Sequence, residues 1–403
     1  MLGRFTIFAI DTEQKIFRDD VKTLKVSNPV DFMSPPFLRL NSNDQLAINF
    51  DIISPSHEYL RYRILHCNYD WQPSLYNESD YLDGFNDFII DDFAYSENTF
   101  INYVNYNIII SPQSLNLIKS GNYLLQIFPE SQPDEIILQV RFSVSEEAVP
   151  VTAGLTTQTI KGANTGYQQL LISANLSDIS NLNPYLDSKL QIEQNNDFHS
   201  LKNVQNPLRV ESNKVIYEHL GDLVFEAGNE FRRFETVRTD YAGLNVDSVK
   251  FIDKLWHAWI KTDTPKADGE YNYDSTQRGR FKIHEYNSTD PNLAADYIMV
   301  HFTLETEELL EGEIYIDGEF TQHQLTNNYK LRYNPGEKAY KLDLPLKQGS
   351  YNYRYVFVPK DKNGSYNLID GNKYETQNEY FIKLFFRQPG SKGDRLIGTA
   401  HIL

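Results

Sequence analysis

Cysteine is almost missing from this chain. Cys67 stands alone in 403 residues, so no internal disulfide can brace the fold. Positive charge is also scarce: Lys and Arg total 38 against 55 Asp and Glu, for a net charge of −17. That balance argues against nucleic acid as a partner, because phosphates have to be neutralised by basic side chains. It disfavours an anionic lipid surface for the same reason. No apolar run approaches the roughly 18–20 residues that a membrane-spanning helix needs. No set of strands shows the lipid-facing alternation of an outer-membrane barrel, so direct membrane insertion is not expected. Arg4 precedes an apolar run at 5–10 that is shorter than the usual hydrophobic region of an export signal. It reads either as the tail of an incomplete signal or as a first strand. The most distinctive stretch, His66 to Tyr106, has no glycine-rich phosphate cradle, no Ser/His/Asp spacing and no paired metal ligands, and neither an enzyme nor a cofactor, metal or small-molecule substrate is expected.

Aromatic residues are what the chain has in plenty, with 27 Tyr and 24 Phe. Rings pack well on a pleated, half-buried surface, which favours β-structure. Short alternating runs separated by Asn-Pro, Ser-Pro-Pro and Gly-containing turns read as strands throughout. Residues 59–67, 103–110, 123–128 and 136–144 supply a first set, and 170–176, 186–193 and 215–219 a second. The third set is 297–304, 312–316, 329–333, 339–344, 349–359 and 380–386. Residues 249–260 read as a single strand, 271–287 as a hairpin around Gln277-Arg278-Gly279, and 114–119 and 305–310 as single helical turns. A Gly-initiated aromatic strand start recurs at Gly121, Gly228 and Gly349, at spacings near the ~100 residues of an immunoglobulin-like sandwich. The expected architecture is all-β: three consecutive immunoglobulin-like or early-set β-sandwich domains, at 20–148, 149–287 and 288–403.

The stretch from His66 to Tyr106 is dense in aromatic and acidic residues and nearly free of basic ones. His66, Cys67 and Asp70 come nearest to a metal cluster, but no further ligand lies at suitable spacing. Cys67 ends an alternating strand and reads as a small buried apolar group. Asp80, Asp83, Asp87, Asp91 and Asp92 do not fit the calcium-loop pattern and read as surface carboxylates. The rings are more informative, since interfaces are enriched in Tyr, Trp and Phe. The expected partner-contact residues are therefore Tyr69, Trp71, Tyr76, Tyr81, Phe85, Phe88, Phe93 and Tyr95, above all those left exposed. The competing reading is that they fill the first core.

These same residues carry a family resemblance. The run Ile64-Leu65-His66-Cys67-Asn68-Tyr69-Asp70-Trp71, with Glu78-Ser79-Asp80-Tyr81-Leu82-Asp83-Gly84-Phe85 and Tyr95-Ser96-Glu97-Asn98-Thr99, resembles the plug family of the Bacteroidota type IX secretion system. Ser120-Gly121-Asn122-Tyr123, Gly228-Asn229-Glu230-Phe231-Arg232, Ala295-Asp296-Tyr297, Lys347-Gln348-Gly349 and Asp394-Arg395-Leu396-Ile397-Gly398 agree in order. The family more often has Asp-Ala where this chain has Asn68-Tyr69. The resemblance implies a non-enzymatic, periplasmic subunit that binds and seals the periplasmic opening of a large outer-membrane β-barrel translocon. The third unit also resembles glycogen-binding early-set domains through 314–320 and 349–355. That makes a carbohydrate-binding accessory protein the alternative, weakened because the tryptophans at 71, 256 and 259 all precede this unit.

Overall fold

The structure, a computed structural model, describes residues 11–179, 183–361 and 366–403. The apolar run at 5–10 lies outside them. The alternating runs form strands in all three expected sets, and they pair into sheets stacked as sandwiches.

In the first sandwich, one sheet orders Lys15–Ile16, Leu138–Ser145, Gly121–Pro129, Leu60–Cys67 and Phe88–Ile90, with Phe37–Arg39 added in parallel to Leu138–Ser145. The facing sheet orders Val21–Ser27, Leu46–Ile52, Val104–Ile110 and Phe93–Tyr95. Ile48, Phe50, Ile64, Tyr106, Tyr123, Ile127, Val140 and Phe142 meet between them. Gly121–Pro129 and Leu138–Ser145 are buried at every position, although their composition alternates apolar and polar. The apolar positions fill the core. The polar ones, among them Asn122, Gln139, Arg141 and Ser143, face the rest of the molecule instead of water.

The second sandwich pairs Val151–Thr156, Tyr167–Asn175, Lys214–Tyr217 and Arg209–Glu211 in one sheet. Its other sheet orders Asp197–Val204, Ser188–Gln194, Tyr380–Phe386 and Arg395–Ile402. This pairing crosses the division expected at 287/288. Ser188–Gln194 pairs along its length with Tyr380–Phe386, and Tyr380, Ile382, Leu384 and Phe386 join Leu190 and Ile192 in one core. The strands of the third sandwich, from Arg232–Glu235 to Gly349–Pro359, fall between them in sequence. The third sandwich is thus inserted into the second. Asn378 Nδ2 donates to Ala227 O at 2.7 Å, so the two ends of the insertion lie side by side.

The third sandwich centres on Gly349–Pro359. Its first half pairs with Arg232–Glu235 and Phe281–Ile283, and its second half with Gly312–Asp317. The facing sheet orders Val246–Ile252, Leu255–Ile260, Tyr297–Glu305, Ala339–Lys347 and Arg332–Asn334. Here the single strand expected at 249–260 is a hairpin. Asp253 and Lys254 both take positive φ, 50° and 67°, which turns the chain in two residues. Trp256 and Trp259 therefore belong to the third sandwich rather than preceding it. No hairpin forms around Gln277-Arg278-Gly279; only Phe281–Ile283 of that stretch is a strand, and it pairs with Gly349–Pro359 instead. The helical turns expected at 114–119 and 305–310 are non-helical.

Buried charge joins the three sandwiches. Between the first and second, the buried Lys383 Nζ, ion-paired within the second sandwich to Glu193 Oε1 at 2.7 Å, also donates to Ser143 Oγ of the first at 3.4 Å. Between the first and third, Asp51 accepts from Lys347 Nζ at 2.8 Å, from Tyr297 Oη at 2.7 Å and from Asn105 Nδ2 at 2.7 Å. Between the second and third, Arg354 bonds to both Asp197 and Asp317, and His323 Nδ1 lies 3.0 Å from Asp317 Oδ1.

A candidate interaction surface on the first sandwich

The aromatic–acidic stretch begins where Leu60–Cys67 ends. His66 is buried, and its Nε2–H donates to Ser120 O at 3.0 Å. Its ring occupies the space in front of Gly121. A Cβ there would fall 2.3 Å from Nε2, and φ of +147° itself favours glycine. Burial lowers the His66 pKa to about 4 and raises that of Cys67 to about 12. A neutral ring and an undissociated thiol are core groups, and Asp70 is exposed and accepts from Gln72 N at 3.2 Å. These three residues do not converge on a common point of ligation.

A tight turn follows, with Asn68 N donating to Gln72 O at 2.8 Å and Trp71 held at φ 64°. The Trp71 ring is buried under two cations. The Arg141 guanidinium sits 4.4 Å and Lys383 Nζ 5.3 Å from its centroid. Tyr69 N donates to Asp394 Oδ2 at 3.0 Å, and Tyr76 Oη lies 2.8 Å from Ser391 Oγ. A Cβ on Gly393 would strike the Tyr76 ring at 2.5 Å. Two motifs far apart in sequence, 66–71 and 394–398, thus meet at the junction of the first two sandwiches.

Beyond it, one turn of helix, Glu78–Tyr81, is closed by Asn77 N donating to Asp80 Oδ2 at 2.9 Å, and Tyr81 Oη donates to Ile64 O at 3.1 Å. The chain then forms Phe88–Ile90 at the edge of one sheet and Phe93–Tyr95 at the edge of the other. A single segment therefore closes this flank of the sandwich. Phe88 stacks on Tyr62 at 4.8 Å, and Phe93 stacks on His57 at 4.6 Å. Between these inward rings, alternation turns Ile89 outward, where it is 64% exposed. Phe85 is 92% exposed, and Tyr59 and Tyr95 are exposed beside the same edges. The acids are engaged separately: Asp87 with Arg61 at 2.6 Å, Asp80 with Lys392 at 3.0 Å, and Asp92 accepting from Asn107 Nδ2 at 2.7 Å.

The expected contact residues thus divide. Trp71 and Tyr81 are buried inside the molecule; Tyr69, Tyr76, Phe88 and Phe93 are half-buried; Phe85 and Tyr95 reach the surface. Ile89 and Tyr59, outside the expected set, also reach the surface, and their outward direction follows only once the edge pairing Leu60↔Ile90 is known.

Two other places have the composition of a site. Among the described residues, Asp197, Asp317 and His323 bring potential ligand atoms within 4.8 Å of one another. The Arg354 guanidinium already satisfies both carboxylates there, so the group acts as an ion-pair weld between sandwiches. A cleft of about 590 Å³ opens between the first and third sandwiches, lined in part by Arg18, Lys22, Thr326, Asn328 and Tyr329.

Residues 21–146 match the family model for the type 9 secretion system plug protein 1st domain. The crystal structure of a hypothetical protein from Parabacteroides merdae superposes with a TM-score of 0.94 and 35% identity, covering 97% of this chain and 99% of that one. A Pseudomonas fluorescens alkylpurine DNA glycosylase bound to DNA shares 11% identity over 31% of this chain and 30% of its own, with a TM-score of 0.19, and carries no argument. No curated protein matches the chain. A first sandwich that matches the plug's first domain, within a fold shared along its whole length with a 35% identical relative, places this chain in the type IX secretion system plug protein family.

Proposed function

We propose that this chain is a non-enzymatic periplasmic subunit that binds the periplasmic opening of the large type IX secretion translocon barrel in the outer membrane and seals it. The observation that carries this reading is the match of residues 21–146 to the plug's first domain. Two physical features support it. A stopper for a wide pore has to resist deformation, and here the third sandwich is tied to the first by the buried Lys347–Asp51 pair and to the second by the Arg354–Asp197 pair, while buried Lys383 of the second donates to Ser143 of the first. A stopper also needs a surface that meets the rim. The flank formed by Phe85, Ile89, Tyr59 and Tyr95 offers apolar anchors among carboxylates. With a net charge of −17, its complement is a neutral or basic rim. No helix among the described residues is long and apolar enough to cross a membrane, and attachment through a partner accounts for the membrane association.

The test is capture from a native outer-membrane extract with the chain tagged at its C-terminus, followed by identification of the captured barrel by mass spectrometry. Recovery of the translocon barrel, together with reduced conductance of that barrel in a planar bilayer when the chain is added, supports the reading. Ile89→Lys combined with Phe85→Ser is expected to abolish both effects while leaving the thermal unfolding midpoint unchanged. Capture and block that survive those substitutions would move the contact to another face. No capture and no block from a folded chain would overturn the role itself.

A further inference from the structure

The outward face of the third sandwich carries a set of soft donors that the plug role does not use. Along Leu255–Ile260, Ala258 and Ile260 enter the core; along Tyr297–Glu305, Ile298, Val300, Phe302 and Leu304 do. Alternation therefore turns His257 and Trp259 outward from the first strand, and Met299 and His301 from the second. The two strands pair in parallel, which sets His257 beside Met299 and Trp259 beside His301.

The imidazoles are already organised. His301 Nδ1–H donates to Asp343 Oδ1 at 2.6 Å, which leaves Nε2 with a free lone pair. That Nε2 lies 2.9 Å from His257 Nδ1, and the two rings are nearly coplanar, at 11°. The two nitrogens therefore share one proton. A carboxylate behind a ligating imidazole is the usual means of fixing tautomer and ring orientation in a metal site. The indole of Trp259 lies flat over His301, with centroids 4.6 Å apart at 15°.

We propose that this face binds one copper(I) ion through His257 Nδ1, His301 Nε2 and the Met299 thioether, with the Trp259 ring over it. The ion takes the place of the shared proton, which moves to His257 Nε2, so both imidazoles stay neutral. At metal–imidazole bonds of about 2 Å, two nitrogens in a three-donor set stand about 3.5 Å apart, so the rings part by only about half an ångström from their 2.9 Å separation. Two neutral imidazoles and a thioether form an uncharged, soft set that suits a monovalent thiophilic ion better than a hard divalent one. The face of an indole stabilises a cation directly above it. Lys250 Nζ, 5.4 Å from the Trp259 centroid, competes for that ring.

The experiment is an anaerobic titration of the full chain with copper(I) against a chromophoric chelator, with tryptophan emission read in parallel. One equivalent is expected to be held, with quenching that disappears in Trp259→Phe although the ion is retained. His301→Ala and Met299→Leu are each expected to weaken retention at least tenfold. Asp343→Asn, which acts only through His301, should weaken it by about 10–100-fold. Each variant is first shown by circular dichroism to be folded. Retention unaffected by His301→Ala and Met299→Leu, or zinc(II) held as tightly as copper(I), would overturn the proposal. The outcome does not depend on whether the chain plugs a barrel.

Discussion

His66 ties one side chain to the acid stability of the whole first sandwich. Its ordinary unfolded pKa is about 6.5, and burial lowers the native value to about 4. Between those limits the unfolded chain binds a proton that the native state refuses. Stability therefore falls as pH drops from about 6.5 toward about 4, by on the order of 3 kcal/mol in total. Urea denaturation at stepped pH is expected to show this slope in the native chain and a flatter curve in His66→Gln. The same residue shows what a sequence conceals. The alternation of 59–67 displayed the strand, but it gave no hint that the ring would lodge in the space left by Gly121, because that contact comes from the neighbouring strand.

At the scale of elements, the two edge strands at 88–95 separate packing from recognition within a few residues. Phe88 faces inward onto Tyr62, and Phe88→Ala is expected to destabilise the first sandwich by about 2 kcal/mol. Ile89 faces outward, and Ile89→Lys is expected to stay within about 0.5 kcal/mol of the native chain. Denaturant midpoints measured on the two variants check the contrast, and only the second substitution should leave a folded chain that no longer captures the barrel. Strands of this kind were legible because a period of two is local and can be read from the residues themselves. Their partners were not. Hydrophobic alternation in Tyr380–Phe386 looks the same whether the strand closes the third sandwich or returns to the second. Contacts such as the buried Lys383–Glu193 ion pair mark the return to the second, and that pairing spans 190 residues. The tight turn at Asp253-Lys254 was equally hidden, since neither residue is the glycine that usually marks positive φ.

At the scale of the molecule, buried ion pairs tie the third sandwich to the other two. Asp51 and Lys347 are essentially unexposed, so removing either leaves the other charged and buried. Asp51→Ala and Lys347→Met are each expected to cost about 3–5 kcal/mol, and the double variant less than their sum. Calorimetry on the full chain measures both quantities. The junction of the second and third sandwiches has a pH dependence of the opposite sense to that of His66. Burial alone would lower the His323 pKa, but the Asp317 and Asp197 carboxylates outweigh it and raise the native value above the ordinary one. This contribution is complete below about pH 6.5 and is lost as pH rises through the native pKa. Thermal midpoints measured from pH 6 upward are therefore expected to fall in the native chain, and less so in His323→Gln.

The insertion of the third sandwich also sets an order of events for a chain that emerges from its N-terminus. Gln194 meets the hydroxyl of Tyr380 across 186 residues of sequence. Among the described residues, the first sandwich has all its strands by Ser145, and the third by Pro359. The second, begun earlier than the third, has to wait with half of one sheet absent until the last strands arrive. Contacts of such long range are slow to close, and the waiting sheet exposes both an apolar face and an unpaired edge. A nascent or translocating chain interrupted late is thus more hazardous than one interrupted early: it carries two finished domains on either side of an open one, ready to pair with whatever strand it meets first.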